Sequence, residues 1–222
     1  MLYEVVEAPQ SGAFAPVVTR GAARGIALTF DDGPTPGITD PLLAALERQH
    51  VPATFFVVGS AVRRDPALVR RMIADGDEVE NHTDTHPHLN ALSPARVGAE
   101  IDRAGATIAA VSGRAPRYLR PPFGARNAAV IAAARRRGLR VVLWNVMGPA
   151  ERVSAPADLQ RYASDLAARV RDGDIVLLHD GDRGRGDDGE LAFQARTVPA
   201  LVAALRARGE RLVTLDRLLA AR

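Results

Sequence analysis

The hexapeptide Thr29-Phe30-Asp31-Asp32-Gly33-Pro34 follows directly on the apolar run Gly25-Ile26-Ala27-Leu28. An apolar run that leads into Gly and Pro predicts a short buried strand ending at a turn. Two adjacent carboxylates at this strand end are costly, because burial and like charge each raise the pKa of a carboxyl group. An ordinary turn would also explain Asp and Gly here. The choice between a turn and a functional site depends on whether partners for Asp31 and Asp32 lie further along the chain.

Apolar runs suited to buried strands alternate with segments of helical periodicity in the rest of the chain. The runs predicted as strands are 26–30, 53–58, 77–81, 117–119, 139–144, 174–178 and 211–215. Helices are predicted to begin at Thr39, Asp65, Ser93, Asn127, Ala155, about Phe193 and Asp216. This alternation implies an α/β fold with parallel strands and right-handed crossovers. A (β/α) barrel of seven units, slightly short of the usual eight, fits the count, and an open doubly wound sheet is the competing topology.

The periodicity of the sequence indicates its domains, and its composition excludes some classes of function. Residues 1–24 show little periodicity and are interpreted as a lead-in segment, and residues 25–222 as a single domain. The chain has no cysteine, so any metal ion must be held by His, Asp or Glu. All 29 basic residues are Arg, which excludes a catalytic lysine. A net charge of +3 with 5% aromatic residues and no basic tail gives no evidence for a nucleic-acid partner.

The lengths of the apolar stretches limit the choice of cellular compartment. The longest, 53–62, is too short and too interrupted to span a bilayer. The first 20 residues have neither the basic start nor the apolar centre of a signal peptide. The sequence therefore leaves two alternatives, a cytoplasmic protein or an exported protein whose leader has been removed.

The unusual polar residues all fall where a predicted strand ends. Asp31 and Asp32 follow the first strand, and later strands are followed by His82 and His86, by Arg120 and by His179, while Trp144 ends the fifth. The carboxyl ends of parallel strands form the active-site face of a barrel. This shared position predicts one functional site.

The segment His82-Thr83-Asp84-Thr85-His86-Pro87 places two imidazoles four residues apart. On a helix, or in a tight turn, both could reach the same ion. No Glu follows His82, so the zinc-protease pattern is absent and a third ligand must come from elsewhere. Asp32 is the obvious donor. Two imidazoles and one carboxylate suit a catalytic zinc or a related divalent ion.

Arg120 and His179 can each be interpreted either as a catalytic residue or as a structural one. The prolines of Arg120-Pro121-Pro122-Phe123-Gly124 stiffen the backbone, so that the guanidinium can be aimed. A buried Arg needs a carboxylate, and Asp31 is available if Asp32 holds a metal. A plain structural salt bridge is the alternative. His179 ends an apolar strand and is interpreted as a general acid, although a lone His in such a strand is more often a core residue.

These segments together resemble the polysaccharide deacetylases, the NodB-like carbohydrate esterases that include chitin and peptidoglycan N-acetylglucosamine deacetylases. The opening hexapeptide matches the first motif of that family without a change. The segments 82–87 and 120–124 are similar to its second and third motifs, and Leu177-Leu178-His179 to its last. The resemblance covers roughly residues 24–220. Because four separated motifs agree in order and spacing, it is specific.

The resemblance implies a distorted seven- or eight-stranded barrel and metal-dependent removal of N-acetyl groups from amino-sugar glycans. It implies one divalent metal ion, zinc before cobalt, nickel or manganese, on Asp32, His82 and His86. Asp31 would be the general base, oriented by Arg120, and His179 the general acid. Phe123 stands where the family usually has Tyr, whose backbone N–H binds the oxyanion. Leu177 would line the pocket for the acetyl methyl group, beside Trp144. By resemblance the protein would act in the cell envelope or outside the cell.

One motif departs from the family pattern. The family usually follows the fifth-strand Trp with an Asp, two variable residues and Asp-Trp, and here Ala150 aligns with the second Asp and Glu151 with the Trp. His179 would then lack its usual carboxylate partner, and the groove an aromatic wall. This leaves two alternatives to a polymer substrate, namely a small or lipid-linked amino sugar, or a non-catalytic carbohydrate-binding role.

Overall fold

The computed structural model describes residues 16–148, 156–181 and 188–220. Within these ranges seven strands form one parallel sheet: β1 Ala27–Asp31, β2 Thr54–Val57, β3 Glu78–Asn81, β4 Tyr118–Leu119, β5 Arg140–Val141, β6 Val146–Met147 and β7 Ile175–His179. Their order across the sheet is β5-β4-β3-β2-β1-β7-β6. This is the cyclic order of a barrel with its seam between β5 and β6, whereas a doubly wound sheet reverses its order at a central strand. The distorted (β/α) barrel expected from the sequence is therefore confirmed.

Helices connect and cover the strands. In the described ranges they are α1 Thr39–Arg48, α2 Gly59–Arg64, α3 Pro66–Ala74, α4 Pro94–Ser112, α5 Ala128–Arg136, α6 Pro156–Arg169, α7 Asp188–Ala207 and α8 Leu215–Leu219. Two short 3-10 turns lie at Leu89–Ala91 and Pro122–Gly124. As predicted, the side chains of Asp65, Ser93 and Asn127 each accept a hydrogen bond from a backbone N–H in the first turn. None of the helices in these ranges has the length and apolar content needed to cross a membrane.

The fifth strand, predicted over 139–144, is shorter in the structure. That strand ends at Val141, and Val142 instead forms a parallel bridge with Val18. A second bridge, antiparallel, joins Arg20 to Asp174 just before β7. The described part of the predicted lead-in segment thus pairs with the residue after β5 and with the residue before β7. The domain division at residue 24 stays a prediction.

One further local prediction is confirmed and another is wrong. The helix α1 begins at Thr39 as predicted, and the Thr39 hydroxyl accepts the N–H of Thr35 and donates to Asp180 Oδ2 at 2.7 Å. The predicted strand 211–215 is reduced to a single bridge between Leu212 and Ile26. The pairing does not continue beyond this bridge because the side chain of Thr214 caps α8.

The sheet separates an outer apolar core from the barrel interior. Along β1, Leu28 and Phe30 pack into the large core beneath the helices, whereas Ala27 belongs to a smaller interior cluster with Phe56. Successive side chains of a strand point to opposite faces. Asp31 therefore points inward, at the carboxyl end of its strand. This alternation decides which of the two adjacent carboxylates enters the barrel.

The buried carboxyl group of Asp77 makes stability depend on pH. It accepts a hydrogen bond from the N–H of Ala53 at 2.8 Å, and its side chain lies in the interior. Burial raises the pKa of Asp77 to about 7; the Ala53 hydrogen bond opposes the rise, and the charges of Asp75 and Glu78 add to it. Because the folded-state pKa exceeds that of the unfolded chain, this group's contribution is complete at low pH and is lost as the pH rises through 7.

The substitution Asp77→Asn tests this dependence, since the amide oxygen can still accept the Ala53 N–H. The free energy of unfolding of the variant, relative to the parent, should rise by about 1–3 kcal/mol between pH 5 and pH 8. Urea denaturation at both pH values measures it. Asp165→Asn is the matched control, because it makes the same replacement at an exposed carboxylate on α6. A pH-independent difference for Asp77→Asn would contradict the assignment.

Candidate active site

Asp31 ends β1 inside the barrel, against the guanidinium of Arg120. Nη1 of Arg120 donates to Asp31 Oδ1 at 2.7 Å and to Thr29 Oγ1 at 2.8 Å, and Nη2 donates to the Leu143 carbonyl at 3.0 Å. The guanidinium carbon lies 4.0 Å from the centre of the Phe56 ring, and Arg120 has no exposed surface. Arg120 is therefore held from several sides, and it fixes the orientation of the Asp31 carboxylate.

Asp32 turns away from its neighbour toward two imidazoles. Its Oδ1 lies 3.1 Å from His82 Nε2 and 2.9 Å from His86 Nε2. One potential ligand atom from each of the three residues falls within 4.8 Å of the others. Asp32 has a φ of 79°, a left-handed conformation that Asp adopts more readily than most residues. The two adjacent carboxylates thus have separate surroundings.

The protonation of His82 shows that this cluster fits a cation. Its Nδ1 lies 2.7 Å from the backbone carbonyl of Arg120, which can only accept a hydrogen bond, so Nδ1 carries a hydrogen. In the neutral imidazole Nε2 then has a lone pair that faces Asp32 Oδ1. Two electron-rich atoms in this position need a proton or a metal ion between them. Two imidazoles and a carboxylate are a usual donor set for zinc, and the carbonyl contact is a typical outer support for a ligating His.

The pKa of Asp32 is shifted in the direction opposite to the one expected from the sequence. Burial alone would raise the pKa of Asp32, but the hydrogen bonds of His82 and His86 hold it well below its usual range. Burial likewise opposes the charged form of His82, yet the negative charges of Asp31 and Asp32 raise its pKa. Adjacent carboxylates were expected to raise one another's pKa. The imidazoles prevent this for Asp32.

The two candidate ligand histidines lie in an irregular turn, not on a helix. Thr83 and His86 have φ values of 69° and 59°, both left-handed. The turn is closed by the Thr83 N–H, which donates to Asn81 Oδ1 at 2.8 Å, and by the His86 N–H, which donates to Thr83 Oγ1 at 3.1 Å. The imidazole ring centres lie 5.0 Å apart. The tight-turn alternative is the correct one.

A cavity of about 160 Å³ lies over these groups. Its lining residues are Asp31, Asp32, His82, His86, His88, Phe123, Trp144, Met147, Leu177 and His179. His179 ends β7 in direct register with Asp31 on β1. Phe123 has a left-handed φ of 60° in the turn after Arg120. The structure thus gathers the predicted site residues in one place, with Arg120 directly behind Asp31.

Two residues that line the cavity, His88 and Met147, were not predicted as site residues. The His88 ring stacks on Phe123 with ring centres 3.9 Å apart, although its position between Pro87 and Leu89 indicated only a loop. Met147 lies on β6, a strand too short to show periodicity, and is 45% exposed. Ala150 and Glu151 lie outside the described residues, so the altered fifth-strand motif stays a prediction.

The fold and this site together define a class of protein. Its features are a parallel barrel and, at the strand ends, a carboxylate–imidazole cluster beside a second carboxylate that is bound to an arginine. Residues 19–142 match the family described as polysaccharide deacetylase. That match spans more than half of the chain, and the chain therefore belongs to the polysaccharide deacetylase family. The family and the hydrolase class predicted from the motifs are confirmed.

Several relatives agree with this membership. The chain is 40% identical over 201 residues to a chitooligosaccharide deacetylase of Bradyrhizobium sp. (strain ANU 289), covering 88% of this chain and 90% of the relative. It is 34% identical over 194 residues to a peptidoglycan-N-acetylglucosamine deacetylase of Bacillus cereus, covering 87% of each. The family 4 carbohydrate esterase of Streptomyces lividans, solved with acetate, is 30% identical with a TM-score of 0.73, covering 85% of this chain and 91% of the other.

Proposed function

We propose that the protein hydrolyses the acetamide of N-acetylglucosamine glycans, with one divalent metal ion held by Asp32, His82 and His86. One observation carries the proposal: a cluster suited to a cation and a carboxylate fixed by Arg120 share a single cavity. The names of the relatives support the substrate class, since they act on chitooligosaccharides and on peptidoglycan. Zinc is the proposed ion because the donor set matches its preference.

The metal would supply Lewis acidity toward the acetamide carbonyl and the attacking water. Asp31 is proposed as the general base that takes a proton from this water as its oxygen attacks the carbonyl carbon. The guanidinium of Arg120 stabilises the carboxylate and keeps its free oxygen on the cavity side, where Oδ2 lies 3.8 Å from His82 Nε2.

The remaining lining residues complete the reaction. The backbone N–H of Phe123 is proposed to donate to the oxyanion of the tetrahedral intermediate. His179 then gives a proton to the sugar nitrogen as the C–N bond breaks, which releases acetate and the free amine. Leu177 and Trp144 would enclose the acetyl methyl group. His179 is well placed for this step, since its strand position is opposite that of Asp31.

An acetate-release assay tests the proposal on chitooligosaccharides. Chelation should abolish release, and added zinc should restore it more effectively than cobalt, nickel or manganese. Cello-oligosaccharides, which carry no acetamide, are the matched control. If kcat/KM rises with chain length, the site acts on a polymer. A flat dependence would favour the small amino-sugar alternative, and no release from any acetylated glycan would favour a non-catalytic relative.

A further inference from the structure

The turn that carries the two candidate ligand histidines is held by a carboxylate from outside the site. Glu100, on α4, accepts the backbone N–H of Asp84 at 3.1 Å and that of Thr85 at 2.8 Å through Oε2. Its Oε1 accepts the Thr85 hydroxyl at 3.1 Å. Glu100 is buried. It therefore binds the middle of the segment between His82 and His86 without lining the cavity.

The side chain of Asp84 anchors the same turn. Its Oδ1 accepts Nη1 of Arg63 from α2 at 2.6 Å, and its Oδ2 accepts Nε of Arg103 from α4 at 3.1 Å. Arg103 also donates to Glu100 Oε1 at 2.6 Å. Two helices thus hold Asp84 and Thr85, two of the three residues that lie between the histidines.

The backbone of this turn requires such support. Thr83 and His86 are held in the left-handed region, which disfavours side chains with a Cβ. Non-glycine residues persist there only where surrounding contacts over-determine the conformation. Glu100 satisfies two backbone N–H groups that no strand pairs, so its loss would let the turn relax and separate the imidazoles.

We propose that Glu100 is a positioning residue that preorganises His82 and His86 for the metal ion. This inference rests on the proposed metal site. Outer supports of metal ligands typically affect metal affinity by about 10–100-fold. Glu100 acts through the backbone of Asp84 and Thr85, and it touches neither substrate nor metal.

Metal affinity of the apo-protein, measured by zinc competition with a chromophoric chelator, is the direct test. Glu100→Ala should weaken zinc binding by on the order of 10–100-fold. Glu100→Gln, which keeps an oxygen for the two N–H groups, should recover most of the affinity. The cobalt-substituted proteins give a second readout, because their visible absorption reports the ligand geometry. The Glu100→Ala spectrum should differ from that of the parent.

The matched control lies two residues further along α4. Asp102 accepts Nε and Nη2 of Arg137 at 2.5 and 2.7 Å and has no contact with the turn. Asp102→Ala removes an ion pair on the exposed side of the same helix and should leave zinc affinity unchanged. If Glu100→Ala does not fold, Glu100→Asp replaces it, since it keeps the charge but withdraws the carboxylate by one methylene.

The outcomes separate this inference from the proposed function. Parental zinc affinity in folded Glu100→Ala, or in Glu100→Asp, would overturn the positioning role. An equal loss of affinity in Asp102→Ala would overturn it too, because the effect would then be one of general stability. Failure of the parent protein to bind zinc or any of the other three ions would instead reject the proposed metal site.

Discussion

Replacing Asp31 by Asn is expected to lower kcat for acetate release by about 10²–10⁴-fold, the range typical of a lost general base. The amide keeps the shape of the carboxylate but cannot take a proton from water. Arg120 Nη1 would still have the amide oxygen and Thr29 Oγ1 as acceptors, so the guanidinium remains partnered. Metal affinity should stay within a few-fold of the parent, because the metal cluster centres on Asp32.

A matched control for this substitution lies at the opposite end of the barrel. Asp174 is also buried and paired with an Arg, with Arg20 Nη2 at 2.8 Å from its Oδ1, but it precedes β7 and does not line the cavity. Asp174→Asn should therefore keep the parental kcat per folded molecule. Near-parental turnover in metal-loaded Asp31→Asn would exclude Asp31 as the base and leave Arg120–Asp31 as a structural ion pair.

The features predicted correctly from the sequence are those that local chemistry determines. Asp65 and Ser93 precede proline, and each caps its helix as that pattern indicates. Asp31 and His179 were placed near one another because parallel strands bring their carboxyl ends to one face, and the two residues are in register on neighbouring strands. Local pattern and strand direction were sufficient for these assignments.

The features that were missed depend on contacts between distant segments. Glu100 looks like any polar residue of an amphipathic helix until the turn of Asp84 and Thr85 is placed against it. The Thr39 hydroxyl donates to Asp180, which lies far along the chain, and no local pattern indicates this contact. The pKa of Asp32 could not be inferred from its neighbour, because the imidazoles that lower it come from a different strand end. Sequence reasoning therefore found the chemically unusual residues and the Arg120–Asp31 pair, but it missed the support that Glu100 gives to the histidine turn.

The second large effect is expected from His86→Asn. Asn is among the residues that best tolerate the left-handed φ of 59° found at this position, so the backbone should be kept while the imidazole is lost. Loss of a direct ligand should exceed the effect of an outer support, and we expect metal affinity to fall by at least about 100-fold. Acetate release should fall in proportion wherever zinc is limiting.

The stability gained from metal gives an independent measure of the same loss. At a zinc concentration 100 times the parental Kd, binding should stabilise the parent by about 2.7 kcal/mol, whereas a 100-fold weaker site gains only about 0.4 kcal/mol. Urea denaturation with and without zinc would show the difference without any substrate. An equal gain in the parent and in His86→Asn would show that His86 is not a ligand.

His88→Asn is the matched control, because His88 lies two residues beyond His86 and also lines the cavity. Its ring stacks on Phe123, with an interplanar angle of 5°, and it is not part of the Asp32–His82–His86 group found among the described residues. We therefore expect His88→Asn to keep the zinc-dependent gain in stability that His86→Asn loses. The reverse result, loss of the gain in His88→Asn alone, would move the third ligand from His86 to His88 and require the turn to rearrange when the metal binds.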